Sequence, residues 1–154
     1  MAAAAAVVGS RFCVPHEVAL TVTRSTRYTW EVFRGDSEHE SDLLFTVRRS
    51  TYYPKPKLDV DAFLASNTSQ AACDFRVRCS YFRSSCTLYI GGSNTVIAQM
   101  NRCNVVSDFV YLGSKYSVTV FPHVDYVFIM VIAMIIDEIA REIRFRIATL
   151  YASN

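Results

Sequence analysis

The chain has 154 residues and a formal net charge of +2; 51% of it is hydrophobic, 13% aromatic and 19% charged. That length suits one domain able to bury roughly 68–70% of its unfolded surface. These values exclude a disordered tail, a collagen-like chain and a strongly basic nucleic-acid arm. They leave two classes open, a compact domain with a greasy interior and a single-pass membrane protein.

At the amino end, residues Met1 to Val8 are Ala-rich, and no Lys or Arg precedes the alanines. A signal peptide needs a positive segment before its apolar run, so a cytoplasmic rather than a secreted protein is expected. The Asn67-Thr68-Ser69 sequon is then expected to carry no glycan.

From Glu17 to Phe121 the dominant period is two. Val18, Leu20 and Val22 alternate with Ala19, Thr21 and Thr23; Tyr28, Trp30 and Val32 alternate with Thr29, Glu31 and Phe33. Leu43, Phe45 and Val47 repeat the pattern. It returns in Cys73 to Cys79, Cys86 to Ile90, Thr95 to Met100, Val105 to Leu112 and Tyr116 to Phe121. Short runs rich in β-branched and aromatic residues are strands. Lys57 to Leu64 is a weaker case, because Asp59 and Asp61 interrupt it, and Pro54 and Pro56 mark an extended connection before it. Turns are predicted at Arg34-Gly35-Asp36-Ser37, Gly91-Gly92-Ser93-Asn94 and Leu112-Gly113-Ser114-Lys115. Such spacing belongs to an antiparallel sandwich or barrel, here a single domain over 1–154 with strands over about 17–121.

After Pro122 the pattern changes. Tyr126 to Ile136 carries no charge, and Ile136, Ile139, Ile143, Ile147 and Leu150 then return at helical spacing. One helix over about 124–148 is predicted, with Asp125 near its start. Eleven uncharged residues span about 16 Å as a helix, whereas a bilayer core is about 30 Å thick. Lengthening the run would place Asp137, Glu138, Arg141 and Glu142 in lipid. The helix is therefore read as a core element wrapped by sheet.

The five cysteines are Cys13, Cys73, Cys79, Cys86 and Cys103. An odd count without a CxxC pair argues against a disulfide framework and a zinc ribbon, and for a reducing compartment. Cys73 and Cys79 are expected to be small buried thiols on one strand face. His16, His39 and His123 lie scattered, so neither a metal nor another cofactor is expected.

An all-β chain that ends in one wholly apolar helix has the order of parts of tubby-like and phospholipid-scramblase-like domains. More specifically, the sequence resembles the plant LURP-one-related family. The likeness rests on Val7-Val8-Gly9-Ser10-Arg11-Phe12-Cys13-Val14-Pro15, Trp30-Glu31-Val32-Phe33-Arg34-Gly35-Asp36-Ser37 and Asp42-Leu43-Leu44-Phe45-Thr46-Val47. It continues in Lys57-Leu58-Asp59-Val60, Phe63-Leu64-Ala65-Ser66-Asn67-Thr68, Cys73-Asp74-Phe75-Arg76-Val77 and Val124-Asp125-Tyr126-Val127-Phe128-Ile129. The resemblance implies a tubby-like β-barrel of twelve strands with the carboxyl-terminal helix threaded through it.

The chain departs from that pattern in three places. Only Arg24 to Thr29 separate the first strand from the Trp30 segment, where family members carry several more strands, so an incomplete barrel is expected. Asp61-Ala62 reads as an insertion, and Ile143 to Asn154 replaces a short charged tail.

No nucleophile elbow, P-loop, dinucleotide fingerprint, zinc-protease motif or calcium loop is present, and no catalytic residue is assigned. His123 beside Asp125 is read as a helix-entrance pair rather than an acid–base pair. A non-catalytic binding domain is expected. As in tubby-like relatives, its ligand would be an anionic phospholipid at a membrane surface. Arg48, Arg49, Lys55 and Lys57, near Tyr52 and Tyr53, are the candidate contacts. The alternatives are a protein-interaction module in plant defence signalling, as the resemblance implies, and a truncated isoform without function. Arg141, Arg144 and Arg146 interleave with Ile143, Phe145 and Ile147, so the helix end could also lie on a membrane. A monomer, peripheral at most to the plasma membrane, is expected, and a net charge of +2 offers little to nucleic acid.

Overall fold

A computed structural model describes residues 19–50, 58–80, 85–103 and 115–153. Eight strands form one antiparallel sheet in chain order. They are β1 (Leu20–Thr26), β2 (Thr29–Arg34), β3 (Leu43–Arg49) and β4 (Leu58–Leu64). The second half comprises β5 (Phe75–Cys79), β6 (Ser85–Ile90), β7 (Val96–Cys103) and β8 (Lys115–Val120). A single helix, α1 (Tyr126–Ala152), follows. β1 and β8 do not pair with each other, so the sheet curls around the helix without closing. Register shifts between β1 and β2, β2 and β3, and β6 and β7 mark irregularities of the kind that increase local twist and bend a sheet.

The alternating sequence becomes a two-faced sheet because successive side chains leave a strand on opposite sides. Trp30 and Val32 of β2, Phe45 and Val47 of β3, Val60 and Ala62 of β4, and Val77 of β5 are buried in one cluster. Phe128, Ile129, Ile132, Ile135, Ile136, Ile139 and Ile143 of α1 complete it. Phe128 anchors the packing, with its ring 5.0 Å from both Phe45 and Phe75. Asp125 starts the helix: its Oδ1 accepts from the backbone N–H of Val127 at 2.9 Å and of Phe128 at 3.4 Å. That role explains the buried aspartate beside His123, and His123 itself is exposed in a turn with φ of 65°.

Several expectations meet a definite outcome. The weakest predicted strand is a central one, β4, flanked by β3 and β5. Asp61 and Ala62 sit in its uninterrupted register, so the apparent insertion makes no bulge. Arg76 on β5 forms an ion pair with Asp61 at 2.7 Å, and Ala62 is buried. Gly91, with φ of 50°, turns β6 into β7, which makes the Gly91-Gly92 pair a hairpin connection. The Val105 to Leu112 run, the Pro54 to Pro56 stretch and the Leu112 to Lys115 turn lie outside the described residues, apart from Lys115 itself.

The helix differs from its reading in two ways. Its apolar surface is not covered all round, since Tyr126 and Met134 are each 61% exposed, Met134 at the gap between β1 and β8. The buried stripe also stops at Ile143, leaving Ile147 and Leu150 exposed, because the helix runs on beyond the core.

The cysteines require a correction. Cys79 and Cys86 are directly opposed in register on β5 and β6, and their sulfurs are bonded. Counting cysteines along the chain misses a pair that strand register brings together. Cys79 is buried, as predicted, and so is Cys86, but they are not free thiols, so they lend no support to a reducing compartment. Cys73 is free, half-buried and just before β5.

Phe128→Ala should lower the unfolding free energy by about 3–5 kcal/mol by leaving a cavity at the centre of the core. Asp125→Ala should cost about 1 kcal/mol through the lost cap. Urea unfolding of both variants checks this order, and equal losses would place the helix elsewhere.

Candidate functional site

The four cations singled out in the sequence do not form one patch among the described residues. Arg48 and Arg49 are neighbours on β3, so the pleat sends them to opposite faces. Arg48 lies over the Phe63 ring at 5.0 Å and donates to the Gln70 side-chain carbonyl. Arg49 turns to the helix side, 5.8 Å from the Tyr28 ring. Lys55 and Lys57, with Tyr52 and Tyr53, lie outside the described residues.

Arg49 borders a cleft of about 560 Å³ between the β1–β2 turn, the end of β3 and the last turns of α1. Arg27 and Tyr28 supply one wall, Glu142 and Arg146 another. Phe145, Ile147 and Leu150 add exposed apolar surface, with Phe145 74% exposed. Arg49 holds its place through its backbone N–H, which donates to the Tyr28 carbonyl at 2.9 Å. Its Nε is buried and has no hydrogen-bond acceptor among the described residues. Burial pushes the guanidinium below its usual pKa, and Arg27 lowers it further; Tyr28 and Glu142 pull the other way. A cation in that position gains from any anion that enters, because the anion supplies both charge and an acceptor.

Glu142 does not neutralise the cleft alone, since it is already shared. Arg24 reaches its Oε2 at 2.9 Å, and Arg146, one turn on, reaches its Oε1 at 2.8 Å. The cleft therefore holds Arg27, Arg49 and Arg146 against one carboxylate that is bound from two sides.

A second opening of about 850 Å³ lies between β1 and β8. Val22 and Val118 form its walls, and Met130, Met134 and Phe145 its floor. Sequence reasoning missed both openings, because each is built from segments more than eighty residues apart. The only available signals were the interleaved arginines after Ile139 and the excess of apolar residues before it.

Comparison with known proteins places the chain in a family. The LURP-one-related family profile matches residues 15–137. The chain belongs to the LURP-one-related family. Protein LURP-one-related 15 of Arabidopsis thaliana is 47% identical over 117 residues, which cover 75% of this chain and 52% of that protein. Protein LURP-one-related 10 of the same plant is 43% identical over 115 residues, covering 73% and 58%. An X-ray structure of an Arabidopsis thaliana protein matches with a TM-score of 0.58 at 37% identity, covering 78% of this chain and 62% of that one. The chain thus spans about half the length of the curated LURP-one-related proteins it matches. The family match bears out the resemblance read from the sequence, and the open sheet around a carboxyl-terminal helix bears out the incomplete barrel. Among the described residues, no helix of this LURP-one-related domain is long and apolar enough to cross a membrane.

Two arginine substitutions should move stability in different ways. Arg76→Met leaves Asp61 partly buried without its partner and should cost about 1 kcal/mol. Arg49→Met removes a desolvated charge while keeping the length of the side chain, and should leave the melting temperature unchanged or raised. Thermal melts of both test this; a large loss with Arg49→Met would make Arg49 a structural residue.

Proposed function

We propose that this domain is a non-catalytic module that holds an anionic phospholipid headgroup at a membrane surface, in the cleft beside Arg49. The observation that carries the reading is the sheltered Arg49 Nε, which lacks an acceptor among the described residues and borders a cleft with two further arginines. A group of this kind is more useful to a ligand than to the fold, since burial without an acceptor costs stability. Exposed Phe145, Ile147, Leu150 and Tyr151 on the same end of α1 give acyl chains an apolar surface to meet. Each basic side chain near an anionic membrane contributes about 1 kcal/mol. Lys55 and Lys57 follow β3 closely in sequence and stay in the proposal as headgroup contacts. Arg48, on the other face of β3, has the smaller part.

A second reading is a protein-interaction module in plant defence signalling, and the edges of β1 and β8, each with one neighbour among the described residues, favour it. Pull-downs from infected and uninfected tissue would recover a specific protein on that reading.

Liposome co-sedimentation tests the first. Vesicles containing a phosphoinositide should retain the domain, and neutral vesicles should not. Arg49→Ala with Arg146→Ala should lower retention about thirtyfold, about two side chains' worth. Lys55→Ala with Lys57→Ala should give a comparable loss, and Arg48→Ala little. Competition by a soluble inositol phosphate separates headgroup recognition from acyl-chain contact. Equal binding by wild type and the Arg49, Arg146 pair would remove the cleft from consideration.

A further inference from the structure

The cleft beside Arg49 already contains an anion that belongs to the chain. Among its described lining residues Glu142 is the one carboxylate. Its Oε1 accepts from Arg146, one helical turn on, at 2.8 Å. The other two guanidinium groups are placed differently. Arg27 and Arg49 lie over the Tyr28 ring, 5.4 and 5.8 Å from its centroid. No ion pair among the described residues includes either of them. Of the three cations, Arg146 alone is therefore committed to a carboxylate.

That commitment is weak enough to be broken. The Arg146 side chain is 49% exposed, and an exposed helix pair four residues apart holds only loosely. An entering phosphate brings more charge and more acceptor oxygens than a carboxylate, so it takes Arg146 for itself. The carboxylate does not then leave. Arg24 holds its Oε2 at 2.9 Å from the far side, which keeps Glu142 in the wall of the cleft. A negative charge left beside a bound anion repels it.

We propose that Glu142 is a built-in competitor that sets the affinity threshold of the cleft. It occupies Arg146 before a ligand arrives, gives Arg146 up to the ligand, and opposes the anion that stays. Both effects weaken every anion, so ligands are separated by what else they offer. A free phosphate offers nothing more. A headgroup carried by a lipid also places acyl chains on exposed Phe145, Ile147 and Leu150, which line the same cleft. Glu142 thereby favours phosphate presented at a membrane over phosphate in solution. This role rests on the headgroup reading of the cleft and adds the residue that makes the cleft selective.

Titration calorimetry of the full chain with soluble inositol trisphosphate, beside co-sedimentation with phosphoinositide vesicles, is the test. Glu142→Gln keeps the size of the side chain and removes its charge. It should lower the dissociation constant for inositol trisphosphate about tenfold, the equivalent of about 1.4 kcal/mol, and raise vesicle retention. Asp137→Asn removes an equal charge from the same helix outside the cleft and should change binding less than about twofold. In an Arg146→Met background, Glu142→Gln should gain no more than about threefold, because only repulsion is left to relieve. Melting temperatures check that each variant is folded, and should Glu142→Gln melt early, Glu142→Met decides in its place. A full gain that survives without Arg146 would overturn the competition. Wild-type binding that Glu142→Gln leaves unchanged or weakens would overturn the proposal and leave the headgroup reading standing. Failure of wild type and Glu142→Gln alike to bind either probe would overturn both.

Discussion

The central constraint is a helix whose apolar run is too short to cross a membrane. Phe128, Ile129, Ile132, Ile135 and Ile139 would each forgo about 1.5–3 kcal/mol if left in water, and in the fold all five are buried. A flat sheet can cover only one face of such a helix. Eight strands in a meander curl around it instead, and each contributes the inward half of its alternating side chains. Helix and sheet are thus mutually dependent, since the strands have no other core on which to place Val32, Val47, Val60 and Val77.

How far the curl extends decides the rest of the surface. Strands cover the Phe128 stripe of the helix, while the stripe through Met130 and Met134 meets the gap between β1 and β8. Along that open stripe the chain becomes charged at Asp137, and the charges are used to hold the sheet. Arg24 of β1 bridges to Glu138 and Glu142, and its guanidinium also lies 5.2 Å from the Trp30 ring. The Trp30 indole N–H donates to Glu138 Oε2 at 3.2 Å. An edge strand with one neighbour is thereby fastened to the helix by side chains where backbone bonding is missing. The polar residues that ruled out a membrane span are the ones that secure the sheet's margin.

Much of the fold was legible because each face of the sheet has one environment. Period-two runs gave β1, β2, β3, β5, β6, β7 and β8, and the switch of period after Pro122 gave α1. β4 was harder to read, because Asp59 and Asp61 break its hydrophobicity, although Asp61 is matched across the sheet by Arg76. Local composition cannot show a partner fifteen residues away. The same limit hid the Cys79–Cys86 bond, which is a consequence of strand register. The candidate site was legible only in part. Adjacency in sequence grouped Arg48 with Arg49, whereas the pleat separates them and brings Arg49 to Arg146, ninety-seven residues on. Exposure of Ile147 and Leu150 was invisible too, since the helical period continues after the sheet has ended.

The two openings are not independent, because Glu142 and Phe145 line both. One oxygen of Glu142 accepts from Arg24 on the edge strand, and the other accepts from Arg146 in the cleft. An anion that draws Arg146 away leaves the carboxylate with a single partner, and its charge then falls more fully on Arg24. A weak surface pair contributes little by itself, but a carboxylate shared between two guanidinium groups links their environments. Glu142 thus joins the wall of the cleft to the edge of the sheet.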